Sequence, residues 1–201
     1  MSLRALYAVG FGYLLVCAGL VVVALRQRMP DAPGAGSTAR PPAVVSLTGD
    51  WFATMKPYCN AVEVETRMAA MPAPPDAEGA GYKAACYALA GKIVRAQQVI
   101  DALSEDRRYP AAAIVFNVGH PVADQGDDQS AGPIMRLVLR YWPNNYMALY
   151  HAGMSEYVLG DAVQGRAHLE AFLGLYHVDD GFTRRAKAVL AGQAPLPGSH
   201  E

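Results

Sequence analysis

The stretch YMALYHAGMSEYVLGDAVQGRAHLEAFL, residues 146–173, decides the fold. Gly160 stands near its centre, and apolar residues recur at helical spacing before and after it. Glycine readily adopts the left-handed backbone that ends one helix and turns the chain into the next. Gly153 and Gly165 carry no side-chain carbon, so two helices can approach closely there. The stretch therefore predicts two antiparallel helices joined by a tight turn.

The same arrangement occurs three times, with a period of about 34 residues. Gly91, Gly126 and Gly160 are 35 and 34 residues apart. Small residues accompany each glycine at fixed offsets, five positions after it and seven positions before it. These two series are Ala96, Ala131 and Gly165, and Ala84, Gly119 and Gly153. Two independent series that share one period indicate an array of helical hairpins whose helices pack through small residues.

Residues 81–175 resemble the tetratricopeptide repeat (TPR) family, most clearly over 146–173 and the preceding Pro143-Asn144-Asn145. The resemblance implies an all-α fold, a short α-solenoid of TPR-like repeats, and a function in protein–protein interaction. Two departures stand out. Pro121 is predicted to end the first helix of the middle repeat near His120, leaving HPVADQ as a loop. Gly165 stands where the family usually has alanine.

The N-terminal part predicts a single transmembrane helix. Residues 5–25 contain no charge between Arg4 and Arg26. As a helix they would extend about 31 Å, enough to cross the hydrocarbon layer of a bilayer. The alternative is a cleaved signal peptide, whose apolar stretch is shorter and ends in a small-residue cleavage site. We therefore expect an anchor over 1–28, a Pro/Gly-rich linker over 29–46, a helical domain over 47–192 and a flexible tail over 193–201.

Orientation in the membrane is argued from charge and cysteine. The arginines that follow the apolar stretch favour a cytoplasmic domain, whereas a short N-terminal tail before one span is typical of an uncleaved export signal. Cys59 and Cys86 are the two cysteines of the expected domain and could pair in an oxidising compartment. The alternative is two buried thiols. We favour the periplasmic or outer face.

Three further helices are expected around the repeats. Asn60 and Glu63 fit a reciprocal N-cap for a helix from Asn60 to Met71. The preceding DWFATMK, residues 50–56, offers another helical turn or two. Near the C-terminus, DDGFTRRAKAVLAG predicts a last helix that closes at Gly192 and covers the apolar face of the final repeat.

Candidate chemistry is sparse. His120, Asp124, Asp127 and Asp128 could together hold a divalent cation. The interpretation we favour is that Asp127 caps the next helix, as Asp161 does after the third repeat glycine. In the opening stretch, the polar residues His151, Glu156, His168 and Glu170 are expected on helix exteriors, and the aromatic and leucine residues in the core. No glycine-rich phosphate loop, CxxC or HExxH occurs, so we predict no enzyme, no cofactor and no bound metal.

An aromatic junction between the second and third repeats is the candidate partner surface, the alternative being packing between repeats. It comprises Tyr141, Trp142, Tyr146, Met147 and Tyr150. The formal net charge is −1 and no basic stripe is present, which argues against nucleic acid. The predicted function is a membrane-anchored scaffold or accessory subunit of a respiratory, photosynthetic, transport or secretion complex. The alternative is a membrane-tethered metal-dependent hydrolase or metal-binding protein that uses the loop at 120–128.

Overall fold

The computed structural model describes residues 47–193, and this part of the chain is all-α. Within it lie nine α-helices, a single turn of 3₁₀ helix at Lys56–Tyr58, and no strand. The α-helices are α1 (Leu47–Met55), α2 (Val64–Ala70), α3 (Ala77–Leu89), α4 (Ile93–Asp101), α5 (Glu105–Asp124), α6 (Asp128–Leu139), α7 (Tyr146–Leu159), α8 (Ala162–Leu175) and α9 (Gly181–Leu190).

Three helical hairpins follow one another, α3/α4, α5/α6 and α7/α8. The turns within them are made by Gly91, Gly126 and Gly160, whose φ angles are 72°, 85° and 88°. Glycine adopts this left-handed conformation without the steric cost that a β-carbon imposes. Gly192, after α9, has a φ of 88° as well. The hairpins stack because α5 packs against α3, and α7 packs against α6.

Close helix crossings lie at the small residues. A β-carbon added to Gly119 would come within 2.7 Å of Ile134 Cγ2 on α6. A β-carbon on Gly153 would lie 3.1 Å from the backbone oxygen of Gly165, on α8. Where the series has alanine instead, at Ala84, Ala96 and Ala131, the side chain is fully buried. Nothing larger fits between these helices without displacing them.

Aspartate or asparagine side chains cap five of the described helices, the first being Asp76, which accepts from the backbone N–H of Gly79 at the start of α3. Asp127 Oδ1 accepts a hydrogen bond from the backbone N–H of Ser130 at 3.0 Å, and Asp161 Oδ1 accepts from that of Gln164 at 3.2 Å. Asn145 caps α7 in the same way, and Asp180 caps α9. Each cap satisfies an amide that has no partner within its own helix. The capping interpretation of Asp127 therefore agrees with the geometry.

The segment before the hairpins is joined to α3 by a disulfide between Cys59 and Cys86, with the sulfurs 2.04 Å apart. The predicted helix from Asn60 is shorter than expected, because the regular helix α2 begins only at Val64. Asn60 Oδ1 accepts from the backbone N–H of Glu63 at 3.0 Å, as a cap would. The Glu63 carboxylate, however, accepts from the Asn60 side-chain amide at 2.9 Å. This local pairing holds residues 60–63 in a turn.

The prediction that Pro121 ends its helix near His120 is wrong. Helix α5 runs through Pro121 to Asp124. A proline removes one N–H donor, here the one that would bond to the carbonyl of Asn117. Asn117 is exposed, so water can hydrate that carbonyl instead. Gly119 packs against α6 and helps to hold this last part of α5 in place.

The core has a large part around α3, α5 and α6 and a smaller part around α7, α8 and α9. In the smaller part, Tyr150, Leu169 and Phe172 are fully buried. Tyr146, expected in the core, is instead 44% exposed because it is the first residue of α7. Helix α9 packs on α7 and α8 and covers part of their apolar surface.

Among residues 47–193, no helix is both long and apolar enough to cross a membrane. The predicted anchor at 5–25, the linker at 29–46 and the tail from 194 onward lie outside the described residues.

Candidate functional site

Two side chains of the predicted cation loop lie on a helix rather than a loop. His120 and Asp124 are four residues apart on α5, so they project from the same side of the helix. The distance from His120 Nδ1 to Asp124 Oδ2 is 3.3 Å. The imidazole is held by Phe116, which stacks on it with ring centroids 4.8 Å apart. The helical conformation around Pro121 is therefore what brings the two groups together.

His151 joins them from α7. Its Nε2 atom lies 3.7 Å from Asp124 Oδ1, and its ring centroid is 5.1 Å from that of His120. Its other ring nitrogen, Nδ1, lies 2.8 Å from Asp128 Oδ1 at the start of α6. One ligand atom from each of His120, Asp124 and His151 can be chosen so that all lie within 4.8 Å of one another. We refer to these three residues as the histidine–aspartate cluster.

The sequence offers His120, Asp124, Asp127 and Asp128 only as candidate cation ligands, beside the favoured capping role of Asp127, and does not point to His151. Asp127 does not join the cluster, because its carboxylate caps α6. Asp128 contacts His151 instead of completing a loop. The sequence feature that could have indicated burial of His151 is its position two residues before Gly153, because small residues mark this helix as closely packed.

The expectation that His151 and Glu156 lie on helix exteriors is wrong. His151 is fully buried and Glu156 is 3% exposed. Helix α7 packs between α6 and α8 and also meets α9, so several of its faces are covered. Glu156 Oε2 lies 2.7 Å from His168 Nδ1, and its other oxygen lies 3.6 Å from Arg136 Nη1. These contacts compensate a carboxylate that burial would otherwise make unfavourable.

A surface groove of about 600 Å³ opens beside this second polar group. It is lined by Arg136, Arg140, Glu156 and His168, with Leu139 and Leu159 as its apolar part. The groove lies between α6 and the start of α8. Its exposed charged lining comprises both Arg140 and Asp161, whereas Glu156 is buried.

The five residues of the predicted partner surface fall into different environments. Tyr150 is fully buried, and burial raises its pKa to about 12. Burial raises the pKa of Tyr141 to about 12, and a hydrogen bond to Asp101 makes a smaller contribution in the same direction. The Tyr141 hydroxyl donates to Asp101 Oδ1 at 2.7 Å. Trp142 and Met147 are half-buried, and only Tyr146 is exposed. Tyr150 therefore cannot contact a partner without unfolding of α7.

Two aromatic pairs lie at one end of the hairpins. Tyr109 meets Trp142 edge to face with ring centroids 5.1 Å apart, and Tyr146 stacks on Tyr176 at 5.0 Å. Tyr109 is near the start of α5, Trp142 follows α6, Tyr146 begins α7 and Tyr176 follows α8. In successive antiparallel hairpins these positions share one end of the helical layer. We call these four residues the aromatic edge.

Comparisons with protein-family models, with curated proteins and with solved structures find no match to this chain.

Proposed function

We propose that this chain is a membrane-anchored, TPR-like scaffold or accessory subunit that binds another protein within a larger membrane complex. Its anchor would be the apolar stretch at 5–25, and its binding domain the helical hairpins after residue 47. The proposed role is non-enzymatic. The observation that carries it is the aromatic edge, where the rings of Tyr109 and Tyr146 remain about half exposed to solvent.

Exposure distinguishes this edge from ordinary core packing. Tyr109 is 49% exposed and Tyr146 is 44% exposed, although each already contacts another ring. Aromatic side chains held in place by neighbours lose little conformational entropy when a partner covers them. Tyrosine and tryptophan are also enriched among the residues that contribute most to protein interfaces. The partial stacking therefore prepares the edge for binding.

The chemistry of the edge indicates its occupant. Rings arranged along helix ends form a row suited to apolar side chains of an extended peptide or a partner helix. Asp101, beside Tyr141, already has Arg108 and Arg140 close to it. We expect the partner segment to present leucine, phenylalanine or proline side chains.

Site-specific photo-crosslinking in the native membrane tests the proposal. Tyr109 and Tyr146 are each replaced by p-benzoylphenylalanine in the full-length chain, and cells are irradiated before solubilisation. We expect both positions to give an adduct with the same protein, identified by mass spectrometry. The replacement keeps an aromatic ring at a half-exposed position, so folding should be retained.

Matched controls carry the same photoreactive residue at Val62 and Val163, which are 87% and 84% exposed and lie outside the edge. Val163 lies near the start of α8, at the opposite end of that helix from Tyr176. If the edge positions give no adduct, or if all four positions give the same adducts, binding at the aromatic edge is refuted.

The assembly part of the proposal has its own measurement. Extraction in mild detergent followed by size separation should place the wild-type chain in a large species that contains the crosslinked protein. Migration of the chain alone, with the adduct absent from the large species, would remove the accessory-subunit role while leaving transient peptide binding.

A further inference from the structure

We propose that His120, Asp124 and His151 form a binding site for one divalent transition-metal ion of the zinc class. This site differs from the predicted cation loop, because it uses a buried histidine from α7 and excludes Asp127. The site shares no residue with the aromatic edge. Its test does not depend on any protein partner.

The distances fit such an ion. Around tetrahedral zinc, ligand atoms at about 2.0–2.1 Å from the metal lie about 3.3–3.4 Å from one another. His120 Nδ1 lies 3.3 Å from Asp124 Oδ2, and His151 Nε2 lies 3.7 Å from the other oxygen of that carboxylate, Oδ1. All three ligand atoms lie within 4.8 Å. Rotation of the partly exposed His120 and Asp124 side chains would have to bring the three ligand atoms closer together around the ion.

Asp128 orients the His151 ring, as a carboxylate beside a metal-binding histidine commonly does. Its Oδ1 atom is 2.8 Å from His151 Nδ1, so a proton on Nδ1 is favoured. In the neutral imidazole the lone pair then resides on Nε2, the nitrogen directed towards Asp124. Histidines that bind metal generally donate their other N–H to a carboxylate or carbonyl in this way. Asp128 is therefore a positioning residue.

The donor set selects the class of ion. Two imidazoles and one carboxylate match zinc and the neighbouring divalent metals cobalt and nickel, whereas magnesium and calcium prefer oxygen ligands throughout. The carboxylates of Asp124 and Asp128 flank His151, and their negative charge would favour a cation there.

One side of the cluster remains open. The His151 side chain is fully buried, whereas those of His120 and Asp124 are 23% and 45% exposed. Three protein ligands on a partly exposed site leave a coordination position for water. A bound ion would link the end of α5 to α7, and so join the second hairpin to the third. We infer that the ion stabilises this junction.

Isothermal titration of the untagged full-length chain in mild detergent, stripped with a chelator and then titrated with zinc chloride, is the first test. We expect one zinc ion per chain with a dissociation constant in the micromolar range or below. Asp124→Asn and His120→Gln should each weaken binding by about 100-fold or more. Asp128→Asn should weaken it by about 10–100-fold, the effect found for residues that orient a metal ligand.

Matched controls are Asp179→Asn and His177→Gln, which change the same residue types at exposed positions outside the cluster. Both should bind zinc as the wild type does. The wild type should also melt about 5–10 °C higher with free zinc at 100 times its dissociation constant, and the Asp124→Asn protein should not.

His151 is too deeply buried for its substitution to be informative, so its role is tested by spectroscopy. Long-range ¹H–¹⁵N correlation spectra of the zinc-bound wild type should place the metal on Nε2 of His151. Absence of saturable zinc binding overturns the proposal, as does zinc binding that all the variants retain. In either case the cluster is a hydrogen-bonded element of the core.

Discussion

The crossing of α7 and α8 at Gly153 provides a sharp test of the packing. In the Gly153→Ala protein, the new β-carbon would lie 2.8 Å from Leu169 Cγ, 2.9 Å from Leu169 Cδ2 and 3.1 Å from the Gly165 carbonyl oxygen. Leu169 is fully buried and so has little room to move. The oxygen of Gly165 belongs to the backbone and is held by α8. The crossing must therefore open, or Leu169 must leave its preferred rotamer.

Two opposing effects set the magnitude. Replacing a helical glycine by alanine stabilises a helix by about 1 kcal/mol. Overpacking a filled core costs about 1–3 kcal/mol, and three contacts this short place the cost towards the upper end. We expect a net loss of about 1–2 kcal/mol in the free energy of unfolding. The clash outweighs the gain in helix propensity.

Gly174 on α8 provides the matched control, because a β-carbon there would meet nothing within 4 Å. Gly174→Ala should raise the free energy of unfolding by up to about 1 kcal/mol. The assay is equilibrium urea unfolding of the full-length chain in mild detergent, followed by far-ultraviolet circular dichroism with the disulfide intact. The two variants should differ in free energy of unfolding by about 1–3 kcal/mol.

A double substitution separates the clash from other effects. Leu169→Ala alone should cost about 2–5 kcal/mol because it leaves a cavity. It also removes the two side-chain atoms that the new β-carbon meets, so Gly153→Ala should cost less in that background. A Gly153→Ala protein as stable as the wild type, or one whose loss is unchanged by Leu169→Ala, would refute the reasoning.

Three further predictions concern the disulfide, a tyrosine and a helix cap. Replacing Cys59 and Cys86 by alanine should lower the free energy of unfolding in urea by about 3–4 kcal/mol, the value that the chain-entropy treatment gives for the loop between them. In the unreduced, denatured wild type, neither Cys59 nor Cys86 should react with a thiol label. The pKa of Tyr141 is about 12 when folded against an ordinary value of 10.0, so its stabilising contribution is complete below about pH 10 and is lost as the pH rises towards 12. Burial raises the pKa of Tyr150 to about 12 as well, so absorbance titration at 295 nm should show more than one late phenol, and Tyr141→Phe should remove one of them. Asp161→Ala should cost about 0.5–2 kcal/mol in urea unfolding, whereas Asp161→Asn, which can still cap α8, should cost markedly less.

Short-range features of the helical domain were readable from the sequence. Gly160 adopts the left-handed turn expected from its place between two apolar helical patterns, and Asp161 begins the next helix. These features depend on only a few neighbouring residues, so local backbone preferences determine them. Pro121 shows the limit of such reasoning. The general rule predicted a helix end, but an exposed Asn117 and the packing of Gly119 let α5 continue.

The sequence alone determined the helical hairpins, because their spacing and turn glycines recur with one period and act through local sterics. The tertiary structure alone decided which polar side chains meet. His151 lies 27 residues beyond Asp124 in the chain, and it contacts that carboxylate only because α7 packs between α6 and α8. The same enclosure buries Glu156, which sequence reasoning placed on the surface. Burial on a helix enclosed on several faces depends on its neighbours in space, and periodicity along one helix carries no information about them.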